Sequence, residues 1–124
     1  RPPMTRAELI EALETAQGAD RGLDAEIYAA KEMCVSYIVD AHPSNNRAGW
    51  VVRYFERGTH GTCVSPAYTG SIDAALSLAT GDNAKFVALS KATIALDRAG
   101  WPNGTWHEHL PRFIAAACLR AGGE

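Results

Sequence analysis

The segment Pro66–Leu78, PAYTGSIDAALSL, constrains the fold more than any other part of this chain. A proline cannot donate to a strand ladder, so Pro66 marks an edge or an exit. Gly70 permits a turn, and Ser71 offers an oxygen to the free amides of a new helix. Ile72, Ala75, Leu76 and Ala79 then recur at helical spacing. Asp73 suits the positive end of that helix, and Gly81 stops it. Extended structure must therefore give way to helix here within a few residues.

The flanks are read in the same way. Thr5 followed by Glu8 fits a capping box, and Leu9, Ala12, Leu13 and Ala16 share one helical face up to Gly18. Asp20 or Asp24 starts a second helix whose stripe is Leu23, Ile27, Ala30 and Cys34. At Cys34 the period drops to two, which predicts strands at 34–41, 49–57 and 62–67. Pro43–Asn46 and Gly58–Gly61 are turns, and turns this short favour an antiparallel meander. Residues 83–100 read as a helix bounded by Asn83 and Gly100. Phe86, Val87, Leu89, Ile94 and Leu96 form no clean stripe, so strands are the alternative there. Trp101–Gly104 is a turn, and Pro111 predicts the first turn of a last helix. In that helix Phe113, Ile114, Ala117 and Cys118 face inward, and Gly122 closes it. The expected fold class is α+β: a small antiparallel sheet of three or more strands packed with four to five helices. Leu9, Leu13, Ile27, Val52, Leu76, Ile114 and Cys118 are the expected buried positions.

A chain of 124 residues, 47% hydrophobic, is long enough for one domain with a real core. Its formal charge of −2 and scattered Lys and Arg argue against binding driven by phosphate neutralisation. No apolar run approaches the ~20 residues of a membrane span. Cys34, Cys63 and Cys118 are odd in number and far apart. With no leader in view, they read as free thiols of a reducing cytoplasm. Met4 fits a natural start, which would make Arg1–Pro3 an addition.

Each candidate chemistry has a plain competitor. On a strand, His107 and His109 would face one side, as zinc ligands do, with Cys63, His60 and His42 completing a site. No partner motif supports this, and a polar, aromatic loop explains the same residues. Cys63 lacks a base on its own face, and Cys34 and Cys118 look like small core hydrophobes. Asp20 and Asp24 suit capping and dipole roles, with Glu26 beside them. Glu8, Glu11 and Glu14 form a solvated face. No phosphate loop is present, and the turn Tyr68–Ser71 serves self-capping better than anion binding. No cofactor is called for.

The aromatic set is more suggestive. Trp50, Tyr54, Trp101 and Trp106 are large for a short chain, and Arg53, Arg57 and Arg98 accompany them. Two indoles around a Pro-Asn-Gly turn are hard to bury together. Trp101, Asn103, Gly104, Trp106 and His107 are therefore the candidate binding surface. The competing account is a lid in which both rings fold back on the last helix.

The stretches LIEALETAQGADRGLDAEI (Leu9–Ile27), YTGSIDAALSL and the alanine-rich LPRFIAAACLRA also resemble small phage and prophage proteins of the phage ABA-sandwich domain type, abundant in alphaproteobacterial genomes. The likeness fails between Leu78 and Leu110, where Ala79-Thr80-Gly81-Asp82 replaces the Pro-Glu-Gly-Trp turn of that group. That group has no established chemistry, and the matched motifs carry no function; the acidic, motif-free composition and the candidate tryptophans fit a non-catalytic phage or prophage accessory protein that acts by binding. The partner would be a host or phage protein, such as a CRISPR effector or another defence component, or a small nucleotide held out of circulation. The rival is a small hydrolase using His107 or His109 with a carboxylate or zinc.

Overall fold

A computed structural model describes residues 4–32, 37–40, 50–54 and 60–122. Helix α1 is Arg6–Thr15 and α2 is Arg21–Glu32. Three short strands follow: β1, Tyr37–Asp40, β2, Trp50–Tyr54, and β3, His60–Val64. Then come α3, Ile72–Leu76, α4, Asp82–Ala99, a 3-10 turn at Asn103–Thr105, and α5, Trp106–Ala121.

The capping signals are used as written. The Glu8 amide donates to Thr5 Oγ1 at 3.2 Å, and the Thr5 amide returns a bond to Glu8 Oε1 at 3.1 Å. Bonding from the Thr5 amide holds the Glu8 carboxyl below its ordinary pKa, helped by the Thr5 hydroxyl. Asp20 Oδ1 accepts from the amides of Gly22 and Leu23, so it caps α2. Ser71 Oγ accepts from the Ala74 amide and caps α3. Gly81 and Gly100 bracket α4 at φ values of 89° and 82°, a region that favours glycine.

The expected α+β class is corrected: the described residues are mostly helical, with five α-helices among them. β1 pairs antiparallel with β2, and β2 with β3, with Ile38 opposite Val52 and Val52 opposite Thr62. These strands of four or five residues lie beside α2. The described core holds Leu9 and Leu13 of α1, Leu23 and Ile27 of α2, Tyr68, Ala75, Ala92, Leu96, and Phe113–Ala116 of α5. Helical character dominates because α4 and α5 alone run 18 and 16 residues against strands of four or five.

Three boundaries also move. The third strand stops at Val64, so Ser65–Ala67 belongs to the turn into α3. Residues 82–99 are a single helix, so the strand alternative does not apply there. Pro111 does not open α5 but lies inside it, five residues after the start. Proline lacks an amide proton, so the bond it would have given to the His107 carbonyl is missing. Helix α5 packs against α1, α3, α4 and the 3-10 turn, and positions 111–117 are all buried. A helix buried all round is the central element of its domain.

Of the expected buried set, Leu9, Leu13, Ile27 and Ile114 are fully buried, while Leu76 and Cys118 are half-buried. The Val52 side chain lies outside the described residues. So do Cys34, His42 and Arg57, and the side chains of Trp50, Arg53, Tyr54, His60 and Cys63.

Candidate functional site

The turn picked out by its tryptophans is folded inward. Gly100 ends α4 in the left-handed region, and the Thr105 amide bonds the Pro102 carbonyl to close the 3-10 turn. This brings Trp106 Nε1 to the Trp101 carbonyl, to which it donates at 2.8 Å. Trp101 stacks on His109, with ring centroids 3.8 Å apart and planes 22° from parallel. Both indoles are half-buried against the core. Asn103, Gly104 and His107 are exposed at the tip. The five residues share one turn and the helix start, but the rings pack inward and only the polar tip faces solvent.

Helix geometry separates the two histidines. Residues two apart on a helix point about 200° from each other. His107 is exposed beside Glu108, with Nε2 to Oε1 3.8 Å, whereas His109 is buried. The strand arrangement that would aim both at zinc is thus replaced. Among the described residues, no three of His, Cys, Asp and Glu gather as metal ligands do. Burial raises the Cys118 thiol pKa, and its Sγ lies 3.9 Å from the Ala75 carbonyl as a weak donor. That is the environment of an inert thiol rather than a nucleophile.

Two polar clusters escaped the sequence reading. Arg112 is 0% exposed. Its Nη1 donates to the Leu13 carbonyl at 2.6 Å, and its Nη2 donates to Nδ1 of His109. It thereby satisfies a free carbonyl in the last turn of α1, where positive charge is favoured. Its Nε is buried without an acceptor. Desolvation lowers the pKa of both Arg112 and His109. The signal was available: Arg112 is the one charge in LPRFIAAACL, and such a residue in an all-apolar helical run must be buried with partners.

The second cluster holds the Tyr68–Ser71 turn. Buried Asp24 accepts from the Thr69 amide at 2.8 Å, the Thr69 hydroxyl at 2.7 Å and Arg21 Nη1 at 2.7 Å. Arg21 Nη2 donates to the Ser65 carbonyl at 2.7 Å. Thr69 Oγ1 also accepts from the Asp20 amide at 2.8 Å. The Thr69 amide is therefore committed to Asp24, and the Ser71 hydroxyl caps its own helix. This turn is a structural clasp between α2 and α3, not an anion cradle.

The open concave surface lies along the α4–α5 contact. One cleft of about 620 Å³ is lined by Ile94, Ala95, Ala99, Phe113 and Ala117, with Lys91, Arg98, Arg120 and Glu14 on its rim. A second of about 360 Å³ continues it past Ala84, Val87, Ala88 and Ala121. Lys91 and Ala117 belong to both. Arg120 pairs with Glu14, Nη1 to Oε2 being 3.2 Å. Lys91 and Arg98 have no ion-pair partner among the described residues. The groove therefore carries surplus positive charge on a chain that is negative overall.

No family model matches this sequence, and no curated protein or solved structure matches it. No described helix is long and apolar enough to cross a membrane.

Proposed function

We propose that this chain is a phage or prophage accessory protein that acts in the bacterial cytoplasm by binding rather than by catalysis. On this reading the α4–α5 groove holds an acidic, apolar segment of a partner protein. The observation that carries it is the pairing of an alanine-floored groove with two unpartnered cations, Lys91 and Arg98. Small side chains let a partner's backbone approach closely, so its bulky residues can reach Phe113 and Ile94. Rim cations favour an acidic partner and speed its encounter. Among the groove's side chains Glu14 is committed to Arg120 and burial raises the Cys118 thiol pKa, which favours binding over catalysis.

The test is affinity capture from host lysate, followed by cross-linking to locate the contact. Wild type is expected to retain one acidic protein with cross-links to Lys91. Lys91→Glu is expected to release it, while Trp106→Ala keeps it. Capture lost with Trp106→Ala but intact with Lys91→Glu would move the site back to the tryptophan turn. A nucleotide in the denatured extract, with no protein retained, would replace this reading with ligand sequestration.

A further inference from the structure

Asp82, Phe86, Ser90, Ile94 and Arg98 form one row along α4 at four-residue spacing. Phe86 is 69% exposed and Ile94 53%, and Asp82 and Arg98 are exposed as well. The buried residues of α4, Ala88, Ala92 and Leu96, lie on the opposite side of the helix from Ser90, so the middle of the row faces away from the core, while Ile94 and Arg98 also edge the α4–α5 cleft. Neither charge has an ion-pair partner among the described residues.

The row is self-complementary about Ser90. Four residues to either side stand large apolar groups, Phe86 and Ile94. Eight residues to either side stand opposite charges, Asp82 and Arg98. A two-fold interface requires that if one residue meets a second, the second also meets the first. An antiparallel pair of α4 helices centred on Ser90 meets that rule. Phe86 of one copy then opposes Ile94 of the other, and Asp82 opposes Arg98, each contact occurring twice. A parallel pair would instead set Asp82 against Asp82 and Arg98 against Arg98. Charge thus selects the antiparallel arrangement, and the small Ser90 at the axis permits close approach.

We propose that this face of α4 is a homodimer interface and that its occupant is a second copy of this chain. The row shares Ile94 and Arg98 with the α4–α5 groove, so a second copy and a groove partner would compete there; Phe86 lies outside the groove lining and reports on the dimer alone. One helix pair makes an interface at the small end of the specific range, so dissociation on the order of micromolar is expected.

Sedimentation velocity of the whole chain over a wide concentration range tests it. Wild type is expected to shift from monomer to dimer as concentration rises. Phe86→Ser is expected to remain monomeric. Arg98→Asp should weaken the dimer by about tenfold, since two attractive rim pairs become repulsive. The double variant Asp82→Arg with Arg98→Asp should recover to about the wild-type constant, because the swap is symmetric. That swap opposes the helix dipole at both ends. A thermal melt therefore accompanies it, and Phe86→Ser alone decides if the melt falls. A monomer at every concentration overturns the proposal, as does a dimer indifferent to Phe86→Ser. A well-folded double variant no better than Arg98→Asp overturns it too. Phe86→Ser lies outside the groove lining, so its effect on self-association is read apart from partner capture that depends on Lys91.

Discussion

Acid should loosen this protein through one histidine. His109 is 3% exposed, lies under the Trp101 ring, and accepts an N–H of Arg112 on Nδ1. To accept there it must be neutral, with its proton on Nε2. A second proton would set an imidazolium against a guanidinium that is itself fully buried. Burial is the main cause lowering its pKa below 6.5; Arg112 and His107 push the same way and Glu108 opposes them. In the unfolded chain the ring takes its proton near 6.5. Below that value the unfolded state binds a proton that the native state resists, so stability falls with pH. The contribution is complete above 6.5 and is lost progressively between 6.5 and the lower native value. The slope cannot exceed about 1.4 kcal/mol per pH unit for one group. Between pH 6.5 and about 5 the loss therefore reaches at most ~2 kcal/mol, a large share of a marginal 5–15 kcal/mol.

His109→Gln isolates this effect, because its Oε1 can accept from Arg112 and does not titrate. Urea unfolding of both proteins, followed by tryptophan fluorescence across that pH range, gives the difference in stability. Carboxylate effects common to both cancel in it. The wild-type value should drop relative to the variant on acidification, by no more than about 2 kcal/mol. Parallel curves would refute the reasoning and mean that the native ring accepts its proton freely.

Three further outcomes follow from the packing. Leu13→Ala should cost about 2–5 kcal/mol in chemical denaturation, whereas half-buried Leu76→Ala should cost only about 1–2 kcal/mol. Thr69→Val removes the hydroxyl that joins Asp24 to the backbone of Asp20, and should cost about 1–3 kcal/mol by the same measurement, with little change in helix content by circular dichroism. Trp106→Ala removes both an apolar ring and the bond to the Trp101 carbonyl. A melting temperature lower by about 5 °C or more is expected, and an unchanged one would return the ring to solvent.

The helix ends were legible wherever a side chain or a glycine does the capping. Thr5 with Glu8, Asp20, Ser71 and Gly100 all act at the positions their types suggest, because capping is decided within a few residues. The start of α5 was not legible. Pro111 pointed to a first turn, yet Trp106–Leu110 continue the helix upstream of it. Their tertiary contacts, Trp106 to Trp101 and His109 to Arg112, accompany the lost backbone bond. Arg112 and Asp24 were passed over for a related reason. Asp24 reads from its type as a capping or dipole residue and Arg112 draws no reading, while the backbone partners that bury them lie 45 and 99 residues away in sequence. The three strands and their antiparallel order are legible from period-two alternation; the predominance of helix is not, because it comes from α4, where the pattern is ambiguous, and α5, whose start is not legible.

Helix α4 is the case where pattern reasoning failed most usefully. Its lack of a clean stripe kept a strand alternative open. The helix is nonetheless regular over 18 residues. Its large apolar side chains do not mark its buried face: alanines 88 and 92 go inward with Leu96, while Phe86, Val87 and Ile94 stay out. Small residues let α4 lie close on α5, so the inner face needs no bulk. Bulk on the outer face then has no role in the monomer's core, and exposing it is a standing cost in water. A helix that looks ambiguous because both its faces are apolar is, in physical terms, a helix with two surfaces to cover. One is covered by α5. The other is bare in the monomer, and the symmetric placement of Asp82 and Arg98 around Ser90 makes a second copy the most economical cover for it.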